Sequence, residues 1–415
     1  MMQAFPYKPQ TRVKHEILRE YLKRWAGIVL NGLRRPYRKA IEQGTTSAFT
    51  VRLAYIDAFA ATGRYQQDGK LYSGSPLIGI EALDSARATA HADATQPVPY
   101  TYALLFEKDP SRCAELLETL KEKGLDERLQ LSGRFMDLWH SGIAVRCGEY
   151  QDHIGEVLDF TARPYTWSFY LLDPYGPKGL EMDVVRRIVG GERHDVMINF
   201  PYQDLLKKAG SERKGTPEHE EHLKHYDALY DTPEWREIAR TYQGDDLETA
   251  LVQFYVRKIK AIDPDVTVKS IPLLFPDRQR TMFYLILTTH DPTGALAMNQ
   301  VIHGAKQSEY KYRVQWKTQK AQERIMERSG GLVQQSLFGD EIAAPAAKRD
   351  YVNEAAERIH AEFCGNKAKY RQVLHSLADS VYFPDEVRKA VLRLKRQKRA
   401  DFSSPLNHET LITFR

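Results

Sequence analysis

One short segment, Asp173-Pro174-Tyr175-Gly176, combines a carboxylate, a proline-fixed turn and an aromatic ring at the end of an apolar run. An exocyclic amine of a nucleobase is a poor nucleophile because its lone pair is conjugated with the ring. A carboxylate and a nearby carbonyl can accept its hydrogens and raise the electron density on nitrogen, while an aromatic ring stacks on the extruded base. We interpret these four residues as candidate catalytic residues. The alternative is an ordinary strand-to-turn Asp-Pro.

A second set of residues suits a nucleotide-like cofactor. Asp57 ends an apolar run and is followed by small residues as far as Gly63, which let backbone approach a ligand. Glu107 ends the next run, where an acid can bind both hydroxyls of a ribose. Asp152 could meet an adenine amino group. The candidate cofactor-binding residues are Asp57, Phe59, Ala60, Gly63, Glu107, Lys108 and Asp152. The alternatives are a tight strand–helix turn and solvated acids.

Seven short apolar runs, too brief for helices, must position these residues. They are Val51–Ile56, Tyr102–Phe106, Ala144–Cys147, Trp167–Leu172, Val196–Phe200, Val266–Leu274 and Met282–Thr289. Segments long enough for a helix separate the first five, which predicts a mostly parallel sheet with helices on both faces. Only residues 275–281 separate the last two, which predicts an antiparallel last strand pair. Residues 12–30 precede the first run as an amphipathic helix.

This strand pattern resembles that of class I S-adenosylmethionine (SAM) methyltransferases. The resemblance implies a doubly wound, Rossmann-like α/β sheet with an antiparallel last strand pair, and SAM as the cofactor. The segment from Asp173 to Gly176 is similar to the Asp-Pro-(Phe/Tyr)-Gly form of the amino-methyltransferase motif found in tRNA guanine-N2 dimethyltransferases.

Further segments, over about residues 12–305, resemble the three-Cys-motif partner (TcmP) family by their order. They are Lys14–Leu18, Tyr55–Ala60, Gly74–Leu77, Phe106–Pro110, Asp173–Gly176 and Val196–Phe200. Members of that family usually carry glycine where Ala58 and Ala61 stand here. The resemblance implies association with a radical-SAM-like protein that has a three-cysteine motif, and it supplies no substrate.

Two functions follow as hypotheses. The first is a SAM-dependent methyltransferase acting on an exocyclic base nitrogen of DNA or RNA. The second is a non-catalytic subunit, a methyltransferase-like scaffold that recruits nucleic acid to the radical-SAM-like partner. The substituted loop after the first strand favours the second hypothesis.

Composition shifts divide the chain. Residues 1–328 form the predicted methyltransferase-like domain, with a charged insertion at about 202–250 and a basic helix at about 303–328. Residues 329–348 are rich in Gly, Ala and polar residues and indicate a linker. Within it, Gln334–Phe338 matches the peptide by which proteins bind bacterial sliding clamps. The alternatives are a chance pentapeptide and a hydrophobic clip onto this protein's own surface.

Residues 349–415 predict a second domain of three helices followed by a hairpin, a winged-helix-like arrangement. Its third helix carries the candidate nucleic-acid-binding residues Arg388, Lys389, Arg393, Lys395 and Arg396. The alternative is a solvated basic face or a surface that docks a protein.

The composition excludes several classes of protein. The chain has 415 residues and a formal net charge of +5, which permits nucleic-acid binding without arguing for it. No apolar run is long enough to span a bilayer, and the first residues lack the basic-then-apolar layout of a signal peptide. Cys113, Cys147 and Cys364 lie far apart without a CxxC pair. We therefore expect neither a disulfide framework nor a metal site, and a reducing cytoplasm without membrane partners.

Overall fold

The computed structural model describes residues 5–46, 49–212, 217–278, 280–329, 351–403 and 405–415, so the segment Gln334–Phe338 lies outside it. The strands are β1 (Phe5–Pro6), β2 (Arg52–Asp57), β3 (Arg64–Gln67), β4 (Lys70–Ser73), β5 (Tyr100–Phe106), β6 (Leu129–Gln130), β7 (Ile143–Arg146), β8 (Thr166–Leu172), β9 (His194–Phe200), β10 (Thr267–Leu274), β11 (Thr281–Thr289), β12 (Lys367–Lys369), β13 (Ala400–Asp401) and β14 (Leu411–Phe414). The helices are α1 (Pro9–Glu42), α2 (Ser75–His91), α3 (Pro110–Glu122), α4 (Tyr150–Thr161), α5 (Met182–Val189), α6 (Tyr202–Glu212), α7 (Pro217–Tyr230), α8 (Trp235–Thr241), α9 (Gly244–Lys260), α10 (Pro292–Ser329), α11 (Tyr351–Phe363), α12 (Tyr370–Ser376) and α13 (Pro384–Arg396).

An eight-stranded sheet contains all seven of the strands that the apolar runs predicted. Its strand order is β10-β11-β9-β8-β2-β5-β7-β6. Neighbours from β9 to β6 run parallel, whereas β11 is antiparallel to both β9 and β10. The predicted mostly parallel α/β sheet and its antiparallel last strand pair are confirmed.

Helices cover both faces of this sheet because alternate strand residues point to opposite sides. On one face, Ile56 and Leu172 belong to a core that also takes in residues of α4, α5 and α9. On the other face, Phe169 packs its ring against Tyr21 and Trp25 of α1. The helix predicted over residues 12–30 thus extends to Pro9–Glu42 and forms part of a helix–sheet–helix arrangement.

The excursion between the first two predicted strands folds into a hairpin and α2. Strands β3 and β4 pair antiparallel, and the N-terminal β1 adds to β3 in parallel. This three-stranded sheet is separate from the main one. It brings Phe5 opposite Tyr65, so the start of the chain is tied to the segment that follows the loop after β2.

The second compact unit consists of residues 276–278 and 292–415 and has its own core. Ile359, Val391 and Leu394 pack together there, and strands β12, β14 and β13 form a small antiparallel sheet in that order. Helix α10 also belongs to this core through Leu296. The side-chain amide of Asn299 donates to the carbonyls of Ser380 (2.9 Å) and Tyr382 (2.7 Å). Helix α10 is therefore part of this compact unit.

Cys113 and Cys147 form a disulfide, which corrects the expectation that the cysteines form no disulfide framework. Cys113 lies on α3, which follows β5, and Cys147 follows β7 directly. Because β5 and β7 are neighbours in the sheet, the segments that follow them meet, and the two Cα atoms lie 5.6 Å apart. Cys364 is exposed and carries a free thiol. In the described part of the chain, no helix is long and apolar enough to cross a membrane.

Candidate functional site

The carboxyl ends of the parallel strands place the predicted site residues along one edge of the sheet. Asp57 is the last residue of β2, and Glu107 and Asp173 come directly after β5 and β8. Because β2 lies between β5 and β8, Glu107 and Asp173 flank the loop that follows Asp57. Ligands of open α/β sheets bind at this edge, where the strand order reverses direction.

Two polar side chains hold the Asp173 carboxylate. The ammonium of Lys14 on α1 forms an ion pair with Asp173 Oδ2, and Asn199 Nδ2, near the end of β9, donates to Asp173 Oδ1 at 2.7 Å. The side chain of Asp173 is 15% exposed and that of Lys14 is 11% exposed. A carboxylate has about four lone-pair sites, so each oxygen can accept a further hydrogen bond.

The residues after Asp173 change abruptly in exposure. Pro174 is buried, whereas Tyr175 is 83% exposed. Gly176 is half-buried, and a Cβ added there would meet nothing within 4 Å. The guanidinium of Arg112 lies 5.9 Å from the centre of the Tyr175 ring. An aromatic ring this exposed is available for stacking.

A tight turn follows β2 and depends on small residues. Ala61 and Gly63 both have positive φ angles, of 50° and 70°. The Gly74 amide donates to the Gly63 carbonyl at 2.8 Å, and a Cβ on Gly74 would lie 2.8 Å from that same carbonyl group. Ala60 is buried, and its amide donates to the carbonyl of Phe106 at 2.8 Å. The turn thus lies against the end of β5, beside Glu107.

Asp57 is completely buried and faces the protein. Its Oδ1 accepts from the Phe59 amide at 3.2 Å and its Oδ2 accepts from the Tyr55 hydroxyl at 3.1 Å. Burial raises the pKa of Asp57 to about 6, and a hydrogen bond from Ser75 acts in the opposite direction. In this arrangement Asp57 shapes the turn. Phe59 is half-buried, and its ring packs against Gly179, where an added Cβ would lie 2.4 Å from the ring.

Glu107 is the acid best placed to meet a ligand. Its Oε2 accepts from the Ala61 amide and its Oε1 from the Asp109 amide, both at 2.9 Å. The residue is 7% exposed, and each oxygen retains a lone pair. Lys108 is exposed and paired with Glu149 at 3.5 Å, and Asp152 is exposed in the first turn of α4.

These residues fit SAM in part. The fixed carboxylate of Glu107 suits the two hydroxyls of a ribose, and the turn from Ala61 to Gly63 gives backbone that a ligand can approach. Asp57 does not fit as a direct contact because it is 0% exposed and its hydrogen-bond partners lie inside the protein.

The basic residues of α13, which belongs to the C-terminal segment predicted as a second domain over residues 349–415 (the tail), differ in what they contact. Val387, Ala390, Val391 and Leu394 form the buried face of α13. Arg388, Lys389 and Arg396 are exposed, and Arg393 is half-buried. Lys395 donates to the carbonyl of Phe402 and lies 4.3 Å from the centre of that ring. Lys395 therefore stabilises this domain. The exposed candidate cations are Arg388, Lys389 and Arg396.

Sequence reasoning missed Lys14 and Asn199 as site residues. Lys14 is 159 positions from Asp173 along the chain, and Asn199 is 26 positions away. Both occur in segments that resemble the TcmP family, which was the one available signal.

No known protein family matches the sequence, and no curated protein matches it. Among solved structures, one similar chain is protein LPL1258 from Legionella pneumophila str. Philadelphia 1, which carries the family designation DUF519. The similarity covers 68% of this chain and 85% of that one, at 9% sequence identity and a TM-score of 0.35. A likeness this weak has no bearing on function.

Proposed function

We propose that this chain is a SAM-dependent methyltransferase that acts on an exocyclic base nitrogen of DNA or RNA, in association with a radical-SAM-like three-Cys-motif protein. The observation that carries the proposal is the arrangement of Glu107 and Asp173 on either side of the tight turn after β2. The strand order, with one antiparallel strand between β9 and β10, supports it because class I methyltransferases share this pattern.

SAM, when bound, supplies an electrophilic methyl group. Glu107 would hold its ribose, and the backbone from Ala61 to Gly63 would lie along it. Asp173 and the Pro174 carbonyl would accept the two hydrogens of the target amine, which raises electron density on its nitrogen. Lys14 and Asn199 keep the Asp173 carboxylate in one orientation, and Tyr175 offers its exposed ring to the base.

Calorimetry with SAM tests the cofactor. We expect binding by the wild type and weaker binding by Glu107→Gln, which retains one acceptor for the two backbone amides. If the wild type gives no heat of binding at high protein concentration, it does not bind SAM, and the proposed methyltransferase activity is refuted. A methyl-transfer assay on cellular nucleic acid completes the test. Asp173→Ala should abolish transfer while leaving SAM affinity within about twofold of the wild type.

A non-catalytic subunit that recruits nucleic acid to the partner is the second candidate. The ion pair between Lys14 and Asp173 favours it because the cation takes one of the acceptor sites of the carboxylate that an amine would need. Under this proposal, Asp173→Ala should leave nucleic-acid binding and co-purification with the partner unchanged, and no transfer should be measurable. Wild-type methyl transfer that Asp173→Ala abolishes would refute it.

We also propose that the tail contacts nucleic acid as a winged-helix-like module. Its three helices and the strand pairs β12–β14 and β13–β14 support this layout. The exposed cations of α13 would lie toward phosphates, which bind through charge rather than base identity.

A further inference from the structure

A ring, a guanidinium and a second ring lie side by side at the carboxyl edge of the main sheet. The guanidinium of Arg112 lies 5.2 Å from the centre of the Phe5 ring and 5.9 Å from that of Tyr175. Arg112 is half-buried, and within the described ranges of the chain it forms no ion pair with a carboxylate. Its charge is held in place by two aromatic rings without being neutralised.

A second group of the same composition lies in the small sheet. Tyr7 and Tyr72 stack with ring centres 4.6 Å apart. The guanidinium of Arg12 lies 5.3 Å from the first ring and 5.4 Å from the second. Its Nη2 also donates to Gln67 Oε1 at 2.5 Å. Tyr7 is buried. Tyr72 is half-buried and lies in β4, an edge strand of the small sheet.

Tyr65 joins the two groups. Its ring centre lies 6.3 Å from that of Phe5 and 5.5 Å from that of Tyr7. Burial, and after it the charge of Asp173, raises the pKa of Tyr65, so its hydroxyl stays neutral. Tyr175 follows Asp173 by two positions and Arg112 lies over its ring, so the first group borders the same edge of the sheet as Asp173.

We propose that this surface, the ring–arginine platform formed by Phe5, Arg12, Tyr72, Arg112 and Tyr175, binds unpaired single-stranded nucleic acid. The inference rests on the proposed function and names the form of its substrate. Single strands bind to aromatic rings on which bases stack and to cations that follow the backbone. Tyr175 offers the open ring, and Arg112 offers a cation for the adjacent phosphate. Bases in a duplex are already stacked on each other and cannot use these rings.

Binding of labelled oligonucleotides to the full chain, without SAM, tests the platform. The probes are a single strand of DNA, the same sequence in RNA, and the DNA duplex. Tyr175→Ala should weaken single-strand binding by about 5-fold or more, the effect of losing one base stack. Arg112→Gln should lower the slope of log affinity against log salt by about 0.7, the share of one phosphate contact on a single strand. Duplex binding should change by less than twofold in both variants.

Matched controls exclude a general effect of removing a tyrosine or an arginine. Tyr242 is also exposed, at 44%, and lies after α8, and Arg134 is an exposed arginine paired with Asp137. Tyr242→Ala and Arg134→Gln should bind every probe as the wild type does. Thermal melting of each variant checks that it is folded.

Photo-crosslinking keeps the test independent of any binding by the tail. A single strand that carries 4-thiouridine should crosslink to the peptide that contains Tyr175. Wild-type affinity of both platform variants, or the absence of this crosslink, would overturn the platform. If the wild type transfers methyl groups in that case, the proposed function survives. If the platform binds single strands and the wild type does not bind SAM, the proposed function is refuted and the platform proposal stands.

Discussion

Lys14 on the first helix donates to the carboxylate of Asp173, the residue on which the proposed chemistry depends. The two residues are 159 positions apart in the sequence. Asn199 holds the other oxygen of the same carboxylate at 2.7 Å. The first helix is thus part of the candidate site as well as a cover for one face of the sheet.

Replacement of Lys14 should reduce methyl transfer without affecting the cofactor. In Lys14→Met the Asp173 carboxylate loses one of its two fixed partners, so we expect kcat to fall at least tenfold while SAM affinity stays unchanged. The free energy of unfolding should fall by about 1–3 kcal/mol because the remaining carboxylate is largely buried. Lys23→Met is the control, since Lys23 pairs with Glu20 on the exposed side of the same helix. That exposed pair should contribute less than about 1 kcal/mol. A wild-type kcat in Lys14→Met would show that the ion pair has no positioning role.

A methyl group on Gly74 should disturb the turn after β2. The added Cβ would lie 2.8 Å from the carbonyl carbon and oxygen of Gly63, both of which are backbone atoms. We expect Gly74→Ala to lower the free energy of unfolding by about 1–3 kcal/mol and to weaken SAM binding, as measured by denaturation and calorimetry. Gly27→Ala, on α1 with open space around the new methyl group, should be neutral or stabilising. If both variants bind SAM equally well, the turn is not part of the cofactor site.

The free energy of unfolding should depend on pH through Asp195. This residue lies near the start of β9, at the opposite end of the strand from Asn199, and accepts hydrogen bonds from Tyr21 (3.0 Å) and Thr289 (3.1 Å). Burial raises its pKa from 3.8 to about 7. The folded protein therefore holds a proton that the unfolded chain releases, and stability falls as the pH rises from about 4 to 7.

Asp195→Asn removes that proton equilibrium. Relative to the variant, the wild type should lose up to about 4 kcal/mol between pH 4 and pH 8, which urea denaturation across this range would measure. Asp265→Asn, on an exposed turn, should retain the wild-type pH profile. If the free energy of unfolding depends on pH in the same way in the wild type and in Asp195→Asn, Asp195 is ionised in the folded protein throughout this pH range.

Charge removal from α13 should reduce the salt dependence of duplex binding. Each phosphate contact contributes roughly 0.9 to the slope of log affinity against log salt. Replacement of the exposed Arg388, Lys389 and Arg396 by Gln should therefore flatten the slope by up to about 2.7. Lys395→Gln should lower the stability of the tail and leave the slope unchanged, because Lys395 is engaged with Phe402. An unchanged slope in the triple variant would leave the tail as a surface for binding protein.

The sequence predicted the strands of the main sheet because apolar periodicity and run length are local properties. The side-chain partners of Asp173 could not be predicted in the same way, since they come from helix and strand positions that only the folded sheet brings together. The disulfide was missed for the same reason. Cys113 and Cys147 are 34 positions apart, and only the pairing of β5 with β7 makes them neighbours. The burial of Asp57 also depends on tertiary packing, because Ser75, which hydrogen-bonds to it, belongs to α2.

Helix α10 packs against the tail in two ways. Leu296 belongs to the hydrophobic core of the tail, and Asn299 donates hydrogen bonds to backbone carbonyls of the tail. Proteolytic cleavage between residues 330 and 350 would then leave two fragments that remain associated without a peptide bond between them. Such a sample would show two bands on a denaturing gel and elute as one species from a sizing column. The tail could also be supplied as a separate polypeptide, which would allow isotope labelling of that segment alone for nuclear magnetic resonance.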